Sequence, residues 1–157
     1  MLANEAVAAL VALVTAAFAD NPRLSRETLV YQGSWETSSL MRNLAAVDDV
    51  PNDSFIEWHS DSLGVFRPEG LRHVLPHYMI YSLRHPDSDV TERLVFHLSP
   101  EQTRDEYWQE RLAVFSSVQK RAICDYVRFM QVALAGQHYD EHLIRALKVW
   151  ECGSEPI

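Results

Sequence analysis

Glycine is scarce in this chain, with five in 157 residues. Short strands joined by tight turns need glycine often, so an all-β sandwich or barrel is disfavoured. Positive charge is also short: 14 Lys and Arg stand against 22 Asp and Glu, for a net charge of −8. A phosphate backbone needs clustered cations, so nucleic acid is not an expected partner. The same excess of acid would steer a basic protein toward this one. Only two cysteines occur, Cys124 and Cys152, without metal-ligand spacing. The expectation is two buried thiols in a reducing cytoplasm, with a single disulfide in an exported protein as the alternative. No apolar run is long enough for a membrane span. The opening MLANEAVAALVALVTAAFAD is too short, and Glu5 stands where the positive region of a signal peptide would be. It reads as an ordinary buried helix with Val7, Leu10, Val11, Val14 and Phe18 on one face. GxSxG, GxxxxGK[ST] and GxGxxG are all absent, so the common hydrolase and nucleotide signatures are missing and no cofactor is expected.

What the chain has in quantity is apolar residues, 47% of the total. At this length about two thirds of the unfolded surface can be buried, enough for a core without metal or disulfides. The pattern predicts one all-α domain over residues 1–157, with six or seven helices. The first spans about Ala3 to Ala19 and stops at Asn21-Pro22. Residues 23 to 34 are ambiguous: Ser25 with Thr28 and Leu29 suits a short helix, and Leu29-Val30-Tyr31 suits extended chain. Trp35 to Val47 is helical. Asn52 or Asp53 caps a helix running to Leu63, with Gly64 as its stop. Pro68 opens the next, through Arg84, with Leu71, Val74, Leu75, Tyr78, Met79 and Leu83 as its stripe. Pro76 should kink it without breaking it. Val90 to Leu98 forms a short helix. Ser99-Pro100-Glu101-Gln102 has the form of a capping box that starts a helix to about Ala113, and Ser116 to Gln119 is a second such box. The helix from there runs to about Ala135, with Gly136 after it. Asp140 caps a last helix through Trp150, with Leu143, Ile144, Leu147 and Trp150 inside.

Several blocks share one likeness: Phe66-Arg67-Pro68-Glu69-Gly70-Leu71-Arg72, Leu75-Pro76-His77-Tyr78-Met79, Phe115, Gln119 to Met130, and Ala146-Leu147 with Trp150. Over roughly residues 50 to 150 the chain resembles an uncharacterised bacterial domain family. That family has a proline-glutamate helix start and a leucine-proline-tyrosine core segment. The resemblance implies a helical fold and carries no established activity. The chain departs from it at Arg67, where a capping threonine is usual, and at Val74, where tyrosine is common.

Two constellations carry chemistry. Glu69, His73 and His77 recur every fourth residue, so one helical face would present a carboxylate and two imidazoles to a metal, with His59 or Asp61 to complete the set. HxxxH alone is a weak signal, and Val74 stands where a metalloprotease has its glutamate. The other is acidic. Between Asn43 and Phe66 lie Asp48, Asp49, Asp53, Glu57 and Asp61, with no Lys or Arg. Asp53, Glu57 and Asp61 would stack on one face and repel by a few tenths of a kcal/mol per pair, a cost that suggests use. Trp58 on its edge, and Trp35 nearby, would anchor a contact. The reading is a non-enzymatic, cytoplasmic protein-binding domain, of immunity or inhibitor type, that neutralises a basic partner. The alternatives are a metal-dependent enzyme on Glu69, His73 and His77, and a structural accessory subunit.

Overall fold

The computed structural model describes residues 2–22, 29–31 and 35–153. Eight α-helices follow one another: α1 (Leu2–Ala17), α2 (Trp35–Ala46), α3 (Asp53–Trp58), α4 (Pro68–Arg84), α5 (Asp89–Leu98), α6 (Glu106–Ala113), α7 (Ser117–Ala133) and α8 (Asp140–Val149). The chain is all-α as expected, with eight helices among the described residues where six or seven were predicted. The only bridge among those residues pairs Val30 with Phe66. Val30 is therefore extended, with Leu29 in a turn just before it. The helix considered from Ser25 lies outside the described residues. No described helix is long and apolar enough to cross a membrane.

α4 is the hub, packed by α1, α3, α5 and α6, while α7 lies between α1 and α8. Every residue of the predicted α4 stripe is buried, as is the whole apolar face of α7 from Ala122 to Leu134. The Ser116 capping box forms in full. α1 buries Leu10, Val14 and Phe18 and leaves most of its alanines exposed. One buried hydroxyl ties three helices together: Ser82 Oγ lies 2.7 Å from Thr91 Oγ1 and 2.6 Å from the Tyr126 hydroxyl.

α4 runs through Pro76 without a break. A helical proline has no N–H for the carbonyl four residues earlier, here that of Arg72. The Asn21 side-chain amide fills that place, donating to the Arg72 carbonyl at 2.9 Å. Asn21 Oδ1 in turn accepts from Gln119 Nε2 at 2.8 Å, and Gln119 is the residue that closes the α7 capping box. One side chain thus joins the end of α1, the proline turn of α4 and the start of α7.

Several expectations need correction. α3 ends at Trp58 rather than Leu63. The His59 carbonyl, which a continuing helix would have paired with the Leu63 amide, instead accepts from the Ser62 N–H at 3.2 Å and from the buried Tyr78 hydroxyl at 2.8 Å. Gly64 belongs to a 3₁₀ turn, Leu63–Val65, and Gly136 is the glycine with positive φ, +81°. Ser99 does not start a helix. Its hydroxyl donates back to the Val95 carbonyl at 2.8 Å and its own carbonyl accepts from Arg145 Nε at 2.7 Å, so it closes α5. α6 begins later, capped by Asp105. Tyr139, not Asp140, occupies the cap position of α8, and Ile144 is half exposed. Finally, the cysteines are not free thiols. Packing of α8 on α7 brings the Cα atoms of Cys124 and Cys152 to 5.6 Å, within bonding range, and the two form a disulfide.

Candidate functional site

The predicted acidic stripe divides. α2 ends at Ala46, and the chain turns through Asp48 and Asp49, both left-handed with φ of 56° and 62°. Two successive non-glycine residues in that region are uncommon, and aspartate tolerates it better than most. The turn places Asp48 and Asp49 in the wall of a groove of about 490 Å³ that no residue of α3 lines. Asp53 and Glu57 stay together on exposed α3. Asp61 falls in the turn beyond it, so the spacing of four that would have aligned it with Glu57 no longer applies.

The groove also receives His73 and His77 from α4, so it unites two of the five acids with the two histidines. Phe18, Leu29, Pro76 and Ile80 give it an apolar floor. His73 Nε2 donates to the Asp49 carbonyl and pins the left-handed turn against α4. The His73 and His77 rings lie 6.4 Å apart. Burial lowers the His77 pKa, and His73 adds to the effect, which favours a neutral imidazole. Glu69 does not line the groove. Among the described residues no three His, Cys, Asp or Glu side chains are arranged to hold a metal ion.

Two more of the set, Asp53 and Glu57, belong to an exposed face. Asn52 caps α3 by accepting from the Phe55 amide at 2.9 Å. With six residues, α3 is held down by Phe55 and Ile56, which are buried, and by His59, whose Nε2 lies 2.9 Å from Asn43 Nδ2 of α2. That anchoring turns Asp53, Glu57 and Trp58 outward. Trp58 is 76% exposed. Beside it runs a shallow groove of about 300 Å³ between α2 and α3, floored by Ala46, Val47 and Phe55. Glu57 accepts from the Tyr81 hydroxyl at 2.7 Å. That bond is the main reason the Tyr81 pKa is pushed up to about 12, with partial burial and the Glu57 and Asp53 charges adding to it. No described Lys or Arg pairs with Asp53, Glu57 or Asp61; the ion pair seen is Arg128 with Asp125, at 3.5 Å. The Trp35 side chain lies outside the described residues.

A third arrangement was not foreseen. Arg111 of α6 is wholly buried. It donates to the carbonyls of Phe66 at 2.6 Å and Leu63 at 2.9 Å, and Nη2 lies 2.8 Å from His97 Nε2. Its guanidinium sits over the rings of Tyr107 and Trp108. No carboxylate pairs with it among the described residues. Burial lowers the Arg111 pKa. His97 is held at about 3, first by burial and then by the adjacent Arg111 cation. An Arg in a short amphipathic helix reads from sequence as a solvent-facing charge, and nothing nearby marks Arg111 otherwise.

The His97 environment makes a testable statement about pH. The folded pKa lies below the unfolded value near 6.5, so the unfolded chain binds the extra proton between those limits. The stability linked to His97 is present in full above pH 6.5 and is lost as pH falls toward 3. Denaturant titrations of wild type and His97→Gln, which keeps an acceptor for Arg111, should diverge in slope over that window. The difference approaches at most the ~1.4 kcal/mol per pH unit of one proton. Parallel slopes would refute this reading of His97.

The fold and the exposed acidic face together define a small helical protein. The chain belongs to a protein family of unknown function (DUF6714), whose sequence profile matches residues 6–152. No curated protein and no solved structure matches it.

Proposed function

We propose that this protein is a non-enzymatic binding module that takes a basic protein partner on the face formed by Asp53, Glu57 and Trp58, in the manner of an immunity or inhibitor protein. The observation that carries the reading is Trp58, 76% exposed at the rim of an apolar groove and flanked by acids that no described cation neutralises. An indole left in water beside a groove is the usual composition of a contact anchor. The surrounding carboxylates supply long-range attraction for a cationic surface. Asp48, Asp49 and Asp61 fall outside the core of this face: the first two line the histidine groove, and Asp61 lies in the turn after α3. The partner is basic and contributes an aliphatic or aromatic side chain to the groove. A cytoplasmic location belongs to the same proposal, and there the disulfide would be open in part of the population.

The test is association kinetics with a partner purified after capture on the immobilised protein. Trp58→Ala should weaken binding by at least about 2 kcal/mol, mostly through faster dissociation. Asp53→Lys combined with Glu57→Gln should slow association about tenfold at low salt, with the effect shrinking at high salt. Glutamine is chosen at position 57 because it still accepts from Tyr81. A captured partner that is acidic, or that binds both variants as it binds wild type, would overturn the proposal.

A further inference from the structure

The Cys124–Cys152 disulfide lies in the wall of a groove of about 540 Å³ between the first turns of α7 and the chain leaving α8. Its two sulfurs are not equivalent. Cys124 is buried on α7, whereas Cys152 is half-buried in the segment that follows α8. Cys152 is therefore the sulfur an incoming nucleophile meets first.

The groove is cationic in an otherwise acidic protein. Lys120, Arg121 and Arg128 line it, and on α7 they stand four and three residues before Cys124 and four residues after it. Those offsets put all three on the helical face that carries the disulfide. Two carboxylates also line the groove. Asp125 is paired with Arg128 at 3.5 Å, and Glu151 is exposed in the left-handed bend just ahead of Cys152, with φ of 55°. Arg128 also donates to the Gly153 carbonyl at 2.6 Å, which holds the Cys152 segment against α7. Ser117, at the first turn of α7, completes the wall, so the positive end of the helix dipole faces the same space.

We propose that this disulfide is a thiol-exchange site for an anionic low-molecular-weight thiol of the glutathione class. The incoming thiolate attacks Sγ of Cys152 in line with the existing bond. A mixed disulfide forms at Cys152, the Cys124–Cys152 bond breaks, and the electron pair leaves on Cys124 Sγ as a thiolate. One disulfide replaces another, so no further oxidant or reductant is required. Lys120, Arg121 and Arg128 act twice. They concentrate the anionic thiol in the groove, and they stabilise the Cys124 thiolate, which makes it a better leaving group. Exchange unties the segment after α8 while Trp150 keeps α8 itself in place, because its indole N–H donates to the Leu98 carbonyl at 2.9 Å.

The experiment uses the oxidised full-length protein with three thiols: glutathione, 3-mercaptopropionate and the cationic cysteamine. Each rate is divided by the rate of the same thiol with an unstructured peptide disulfide. Samples are quenched early and mapped by mass spectrometry. The adduct should map to Cys152, and the two anionic thiols should react about tenfold faster than cysteamine after this normalisation. The preference should collapse at high salt and in the surface variant Lys120→Gln/Arg121→Gln. The salt series on wild type keeps the proposal falsifiable should that variant fold poorly. Equal normalised rates, an adduct on Cys124, or reaction only after denaturation would each overturn it.

Discussion

Replacing Arg111 with alanine lowers the unfolding free energy by about 4 kcal/mol, the loss expected when a buried cation is deleted from acceptors that its two Nη atoms satisfy. The variant leaves the Leu63 and Phe66 carbonyls and His97 Nε2 without their donor and opens a cavity under Tyr107 and Trp108. Relief of the buried charge offsets part of this. Arg111→Lys tests geometry apart from charge. An ammonium keeps the cation but lacks the planar fork that reaches two carbonyls and a ring nitrogen together, so it should recover less than half of the loss. Chemical denaturation of the three proteins reads the effect directly. Wild-type stability in Arg111→Ala would mean that the 3₁₀ turn and α5 are held by other contacts.

Gly70→Ala separates two opposed effects by sign. In an exposed helix the change stabilises by about 0.5–1 kcal/mol. Here a Cβ would stand 2.0 Å from the Leu29 carbonyl oxygen and 2.9 Å from its carbon. Backbone atoms cannot rotate aside as a side chain does. The extended segment must move off α4, losing the bonds from Tyr31 N–H to the Val65 carbonyl at 3.0 Å and from Arg67 N–H to the Leu29 carbonyl at 2.8 Å. The expected result is destabilisation by about 3 kcal/mol or failure to fold. A stabilised Gly70→Ala would show that the 29–31 segment does not lie against the first turn of α4.

The long elements were legible because one apolar period covers each of them. Leu71 to Leu83 and Ala122 to Leu134 keep their phase over several turns, and both faces are buried as read. Short elements were misread where a tertiary hydrogen bond overrode a local signal. The Tyr78 hydroxyl and the Ser62 N–H share the His59 carbonyl where α3 ends, so Asp61 leaves the stripe that its spacing suggested. The Val95 carbonyl and Arg145 claim Ser99, and the capping box at Ser99 to Gln102 never forms. Ile144 has the right phase for the core of α8 and still faces water, because the phase of one helix does not reveal how wide its partner is. The site residues divide in the same way. Asp53 and Glu57 share a face because they stand four residues apart in one short helix, with Trp58 at its edge. Asp48 and Asp49 depend on a left-handed turn that their sequence permits and does not announce. Arg111 carried no signal, since its burial depends on carbonyls contributed by residues some forty-five positions away.

The most direct test of the docking account is amide hydrogen exchange of the full chain with and without its purified basic partner. Residues 52–60 and the end of α2, from Asn43 to Val47, should gain protection on binding, while the Cys124–Cys152 segment and the outer face of α8 exchange as in the free protein. Protection confined to α7 and α8, with residues 52–60 unchanged, would contradict the account and place the interface on those two helices.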